Sequence, residues 1–152
     1  MILFAELIKS HVVFGTLDPE LRAALVLHAE SASFSKGTEL FETGDPARDF
    51  YMILEGKVSL TVSQSKFEKM NVTTLGKGDI VGWSWLFPPY EWHFDARAEE
   101  DLEVVRWSAG AMRRKCEKDF EFGYKLMKCF SQIMLDRLTA TRRQAFEAKV
   151  GS

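Results

Sequence analysis

At 152 residues, 46% hydrophobic and with a formal charge of −2 at pH 7, the chain suits one domain with its own core, and it lacks the basic excess that nucleic-acid or anionic-membrane surfaces require. The charge is uneven: residues 111–152 hold ten Lys or Arg against five Asp or Glu, so the basic groups gather at the C-terminal end, on a solvated face or opposite a partner. Cys116 and Cys129 lie thirteen residues apart without paired Cys/His spacing, so free thiols are expected and no metal.

The chain begins MILFAELIKSHVVF, where Glu6, Lys9 and His11 interrupt the apolar run. It is too short to span a bilayer and lacks the unbroken core of a signal peptide, which predicts a cytoplasmic protein with no membrane association. A short helix is expected near residues 2–10, and a second from about Leu17 to Ala29, with Asp18 at the N-cap, Pro19 at the first helical position and Leu21 and Leu25 on the apolar face.

From Ala32 to Trp107 the period shortens and glycines punctuate it: FSKGTELFETGD, FYMILEGKVSLTVS, MNVTTLGKGDIVGW, WHFDARA and LEVVRW. No intervening helix is long enough for a parallel crossover, so an antiparallel roll or sandwich follows. Inside this region GWSWLFPPYEW holds three of the four tryptophans, with Glu91 as its single charge. A pocket lined this way favours an apolar or stacking ligand over a bare phosphate, which needs cations or N–H donors. Pro88-Pro89 would end any helix there after about one turn.

Helical period returns near Ala109, predicting short helices over 109–117 and 119–128 and then a longer one. Its stripe of Met127, Phe130, Met134, Leu138, Thr141 and Ala145 recurs at steps of three and four, suited to packing on the roll or on a twin helix. The expected organisation is therefore one mainly β domain over 1–152: helices within 2–30, an antiparallel double-stranded β-helix (jelly roll) over 32–107, and C-terminal helices within 109–148.

The helix, glycine-punctuated roll and long terminal helix, with TGDPARDFYMILEGKVSLTV followed by LGKGDIVG, resemble the cyclic nucleotide-binding domain of Crp/Fnr-type regulators over almost the whole chain. The marks are Gly44-Asp45, Tyr51, Glu55-Gly56 and Leu75-Gly76-x-Gly78-Asp79 leading into Gly82. The resemblance implies a phosphate-binding cassette after Gly82, in which a Glu holds the ribose hydroxyl, and an Arg and exposed amides hold the cyclic phosphate. Here the Glu position is Trp83, the Arg position Trp92 and the following Ser/Thr position His93. Removing the Arg partner of a desolvated anion costs about 2 to 5 kcal/mol, so cyclic AMP or cyclic GMP is not expected to bind in the usual way.

Strand alternation puts Trp92, Phe94, Ala96 and Ala98 on one face and His93, Asp95 and Arg97 on the other, where Asp95 and Arg97 are expected to form a surface pair. The family's purine-contacting Thr-Ser pair on the terminal helix falls on Thr141 and Arg142; Arg142 either supplies a cation or joins Arg137, Arg143 and Lys149 on a solvated basic face. Candidate ligand-binding residues are thus Gly82, Trp83, Ser84, Trp85, Trp92, His93, Thr141 and Arg142, with backbone donors offered at Ser84 and Trp85.

His11, His28 and His93 are scattered and form no HxH metal site, and neither GxSxG nor a P-loop occurs, so no enzyme is expected. The expected function is a ligand-sensing regulatory domain with a small-molecule ligand of unknown identity, a homodimer through the C-terminal helix and no direct DNA binding, because no helix-turn-helix is seen before Ser152. Two alternatives stand beside it: a protein-interaction module with a collapsed pocket, and the sensor half of a Crp/Fnr-type transcription regulator.

Overall fold

The computed structural model describes residues 3–63 and 68–150, of which Val150 only in its backbone; the parts of the expected segments that fall on residues 1, 2, 64–67, 151 and 152 lie outside it. Helix α1 (Phe4–Ser10), a 3-10 turn (Phe14–Thr16) and α2 (Pro19–Leu27) precede the roll. The strands are β1 (Glu30–Phe34), β2 (Glu39–Phe41), β3 (Asp49–Glu55), β4 (Val58–Ser63), β5 (Lys69–Leu75), β6 (Ile80–Val81), β7 (Asp95–Ala98) and β8 (Leu102–Ser108). Between β6 and β7 lies a single 3-10 turn, Ser84–Leu86. Helices α3 (Ala109–Lys118) and α4 (Phe120–Val150) close the chain. Among the described residues no helix is long and apolar enough to cross a membrane.

The strands form two antiparallel four-stranded sheets, β1-β8-β3-β6 and β2-β7-β4-β5. Chain neighbours thus lie in opposite sheets, except β4 and β5, which pair with each other. Strand β3 is buried at four consecutive positions, Phe50 to Ile53, because its sheet is covered on both sides, by the roll interior and by the helices.

The helical layer is held by aromatic side chains. Phe50 stacks between Trp85, at 4.7 Å and 9°, and Trp107, at 5.1 Å and 12°. Phe130 of α4 sets its edge against both Phe50 and Trp85, and Phe14 sets its edge against Trp107. The Trp107 indole N–H donates to the Leu25 carbonyl at 2.8 Å, which satisfies the polar atom its burial would otherwise strand.

Several expectations change. Asp18 does stand at the N-cap of α2, but its side chain caps nothing and pairs with Lys125 of α4. The two helices expected over 119–128 and beyond are one continuous α4. The break falls before it, where Asp119 accepts the Phe122 amide at 3.1 Å and so starts a new helix. This contact lowers the Asp119 pKa, with help from Lys115. The expected stripe also divides. Phe122, Leu126, Cys129, Phe130 and Ile133 face the core, whereas Met127 and Leu138 face outward. The Asp95–Arg97 surface pair does not form: Asp95 is buried, accepts the Thr43 amide at 2.7 Å and meets Lys69 at 3.3 Å, while Arg97 is exposed. The Thr43 amide is the main reason that the Asp95 carboxyl titrates below its usual range.

His11 ties the N-terminal segment to the roll. Its Nδ1 accepts the amides of Val13 and Phe14, both at 3.1 Å, so the proton sits on Nε2, which lies 2.8 Å from the Gly78 carbonyl and donates to it. Burial pulls the imidazole pKa below 6.5, against the opposing effects of Gly78 and Asp79. The neutral ring is therefore the form the fold uses, and its contribution is complete above the unfolded-state pKa and lost as pH falls through the folded-state value. His11→Ala should cost about 1 to 3 kcal/mol at pH 7, the range for two or three hydrogen bonds. It should also flatten the loss of stability on acidification from about pH 7 to pH 5, as read by urea unfolding.

Candidate functional site

The segment between β6 and β7 is built by its neighbours at both ends. The Trp92 amide donates to the Asp45 carbonyl at 3.0 Å, the Gly44 amide donates to Trp92 at 2.9 Å, and the Ala47 amide donates to Tyr90 at 2.7 Å, so residues 90–92 run against 44–47. Pro88-Pro89 closes the turn through a cis peptide bond, and Tyr90 has a φ of 60°.

Trp92 enters the roll and lies flat on Phe41 of β2, ring centroids 3.7 Å apart and 10° from parallel. It is 5% exposed. Its far edge presses on Gly82, where an added Cβ would stand 2.4 Å from the indole; Gly82 also has a φ of 101°, so a side chain is excluded twice over. What remains between Phe41, Leu60, Gly82, Trp83, Trp92 and Phe94 is a crevice of about 20 Å³. That is room for about one water molecule. Small-molecule sites run to roughly 300 Å³ or more.

The candidate residues separate into distinct places. Gly82, Trp83, Ser84 and Trp92 line the crevice together. Trp85 turns the other way, into the helical layer, where its Nε1 has no hydrogen-bond partner among the described residues. Ser84 and Trp85 do lie in a one-turn helix, with Leu86 and Phe87 donating back to Trp83 and Ser84. His93 is exposed. Thr141 lines a separate groove of about 540 Å³ between α4 and the β5–β6 turn, and Arg142 is exposed on the far part of α4.

Arg137, expected on a solvated basic face, is instead packed onto the site. Its guanidinium lies 4.9 Å from the centre of the Trp83 ring, and its Nη2 donates to the Ile80 carbonyl at 2.9 Å. Burial lowers its pKa, against the attraction of Asp79. The sequence held a usable signal: Arg137 stands four residues after Ile133 and seven after Phe130, on the same helical stripe as these core residues. From α3, Arg113 donates to the Trp85 carbonyl at 2.8 Å and lies 4.3 Å over the Tyr90 ring. Both terminal helices are thus clamped to the cassette segment through one arginine and one aromatic ring each.

The sequence profile of the cyclic nucleotide-binding domain family matches residues 31–119. The chain is 24% identical over 108 residues to a CRP-like cAMP-activated global transcriptional regulator of Mycobacterium tuberculosis, covering 71% of this chain and 48% of that one. The chain therefore spans about half the length of this curated relative. Among solved structures, a Geobacter metallireducens protein described as cyclic nucleotide-binding superposes with a TM-score of 0.81 at 28% identity, covering 90% of this chain and 99% of its own. The c-di-GMP-responsive regulator CLP of Xanthomonas campestris shares the fold, with a TM-score of 0.70 at 18% identity over 86% of this chain and 64% of its own.

Gly82 and Trp92 should behave as one unit. Trp92→Ala is expected to cost about 3 to 5 kcal/mol. Gly82→Ala should cost several kcal/mol in the native background but roughly 0.5 to 3 kcal/mol less beside Trp92→Ala, because only the positive φ then remains unfavourable. A double-mutant cycle by chemical denaturation measures the difference.

Proposed function

The chain belongs to the cyclic nucleotide-binding domain family, and we propose that it is a regulatory domain in which the chamber that would take a cyclic nucleotide is filled by the protein's own Trp92. The stacked Trp92–Phe41 pair carries this reading: it leaves about 20 Å³ where a nucleotide would need more than ten times as much. The chemistry agrees with the volume. At the two positions where the family resemblance expects a carboxylate and a guanidinium, the chain has Trp83 and Trp92, so a cyclic phosphate drawn into the crevice would be desolvated without its partner. Arg137 reaches the rim but is engaged by the Ile80 carbonyl and the Trp83 ring.

Regulation in this reading runs from the roll to the terminal helices. A shift of the cassette changes the positions of Trp83, Trp85 and Tyr90, and Arg113 and Arg137 pass it to α3 and α4. A cytoplasmic homodimer joined through α4 completes the proposal. Every residue from Leu138 to Lys149 is exposed, a stretch of roughly 18 Å at 1.5 Å per residue, and Leu135, Leu138 and Phe146 are the large apolar side chains on it and just before it.

Two measurements test these statements. At about 1 mM cyclic AMP or cyclic GMP a micromolar site would add roughly 4 kcal/mol of stability, or roughly 8 to 16 °C in Tm; no such shift is expected, and finding one overturns the filled-chamber reading. Leu138→Asp should convert a dimer into a monomer in analytical ultracentrifugation while leaving the roll folded. A native protein that sediments as a monomer at about 100 μM would remove the dimer from the proposal.

A further inference from the structure

A second crevice, of about 340 Å³, opens on the other side of Trp92 and Phe41, at the rim of the roll next to the start of β3. Both rings line it as well as the small crevice, so they form a wall between the two. Its polar groups are Asp45, Arg48, Asp49 and Tyr51.

We propose that this crevice binds a small organic ammonium ion, with the ammonium group held between the carboxylates of Asp45 and Asp49 beside the Tyr51 hydroxyl, and the apolar part of the ligand on Phe41 and Trp92. Three observations carry it. Tyr51 is 6% exposed, and among the described residues its hydroxyl has no hydrogen-bond partner, yet it is not among the fully enclosed orphan atoms; the exposed remnant of the side chain faces the crevice it lines. The hydroxyl is thus available to bond with what enters the crevice. Next, the two carboxylates outnumber the single guanidinium, and none of the three forms an ion pair within 4 Å among the described residues. Asp45 accepts the Glu42 amide through one oxygen, at 3.2 Å, leaving the other available. Finally, the aromatic wall offers ring faces or edges to the ligand, and a cation beside such rings gains where an anion beside Asp45 and Asp49 would be repelled.

The local electrostatics agree. Burial chiefly, and then Glu30, raise the Asp49 pKa in spite of Arg106 and Arg48, and the Tyr51 pKa is pushed up to about 12, by burial first and by Asp49 next. A bound cation would relieve both. The proposal concerns a different cavity from the filled chamber, so a failed amine titration leaves the cyclic-nucleotide result untouched, and the reverse.

The test is a ¹H–¹⁵N NMR titration of the whole chain with 2-phenylethylamine, alongside its anionic counterpart 3-phenylpropionate. Expected are saturable shifts for the amides of residues 45–51 and the Trp92 indole with the amine, and none with the acid. Asp49→Asn should weaken amine binding about tenfold or more, the loss of one charge-assisted contact. It should fold normally, because burial already disfavours the carboxylate. Tyr51→Phe provides a second reading, with a smaller weakening expected. The proposal is overturned if the amine produces no saturable shift by about 20 mM, far above the range of a specific site. It is equally overturned if the shifts map elsewhere, if the acid binds as tightly as the amine, or if both variants bind the amine as the native protein does.

Discussion

The structure depends on one aromatic stack. Phe50 lies between Trp85 and Trp107 with Phe130 against its edge, and each ring comes from a different part of the chain: β3, the cassette turn, β8 and α4. Four segments far apart in sequence are therefore fixed by one contact set, worth about 0.5 to 1.5 kcal/mol per pair beyond the area it buries. The turn between β6 and β7 is fixed in place by this contact set. Its central tryptophan is part of the helical layer, so the turn is anchored from behind while its other side faces the roll.

That anchorage decides what the remaining tryptophans can do. With Trp85 turned backward and the segment after Tyr90 paired with residues 44–47, Trp92 has one direction open to it, into the roll. There it packs flat on Phe41 and is almost wholly buried. Burying an indole on Phe41 requires no counter-charge, whereas a buried phosphate requires several donors. The same ring then becomes a wall, with a filled space on one side and a polar crevice on the other. Arg137 and Arg113 extend the arrangement outward, since each grips a cassette aromatic from a terminal helix.

Much of the fold was legible in the sequence because its signals are local. Pro19 after Asp18 placed the start of α2, the glycine-punctuated short period placed the strands, and the step of three and four found the terminal helix. The misplaced features are those decided by contacts across the chain. Asp95 alternates with inward-facing Phe94 and Ala96, so periodicity puts it outside; Thr43 and Lys69 reach over it and bury it. Arg137 reads as one of several basic residues on a long helix, and only the height at which α4 crosses the cassette separates it from exposed Arg142 and Arg143. The partition of the candidate site has the same origin: spacing alone does not reveal that Trp83 and Trp85, two residues apart on a single turn, serve opposite sides of a sheet.

By itself the sequence determined the class of the fold, because glycine turns and strand period are properties of neighbours along the chain. Tertiary structure alone decided whether the tryptophans line a chamber or fill it. That outcome depends on the distance between β2 and the residue that follows the cassette, which is set by the Phe50 stack on one side and the pairing of residues 44–47 with 90–92 on the other. At 3.7 Å between Phe41 and Trp92, the rings are in contact and only about 20 Å³ is left beside them.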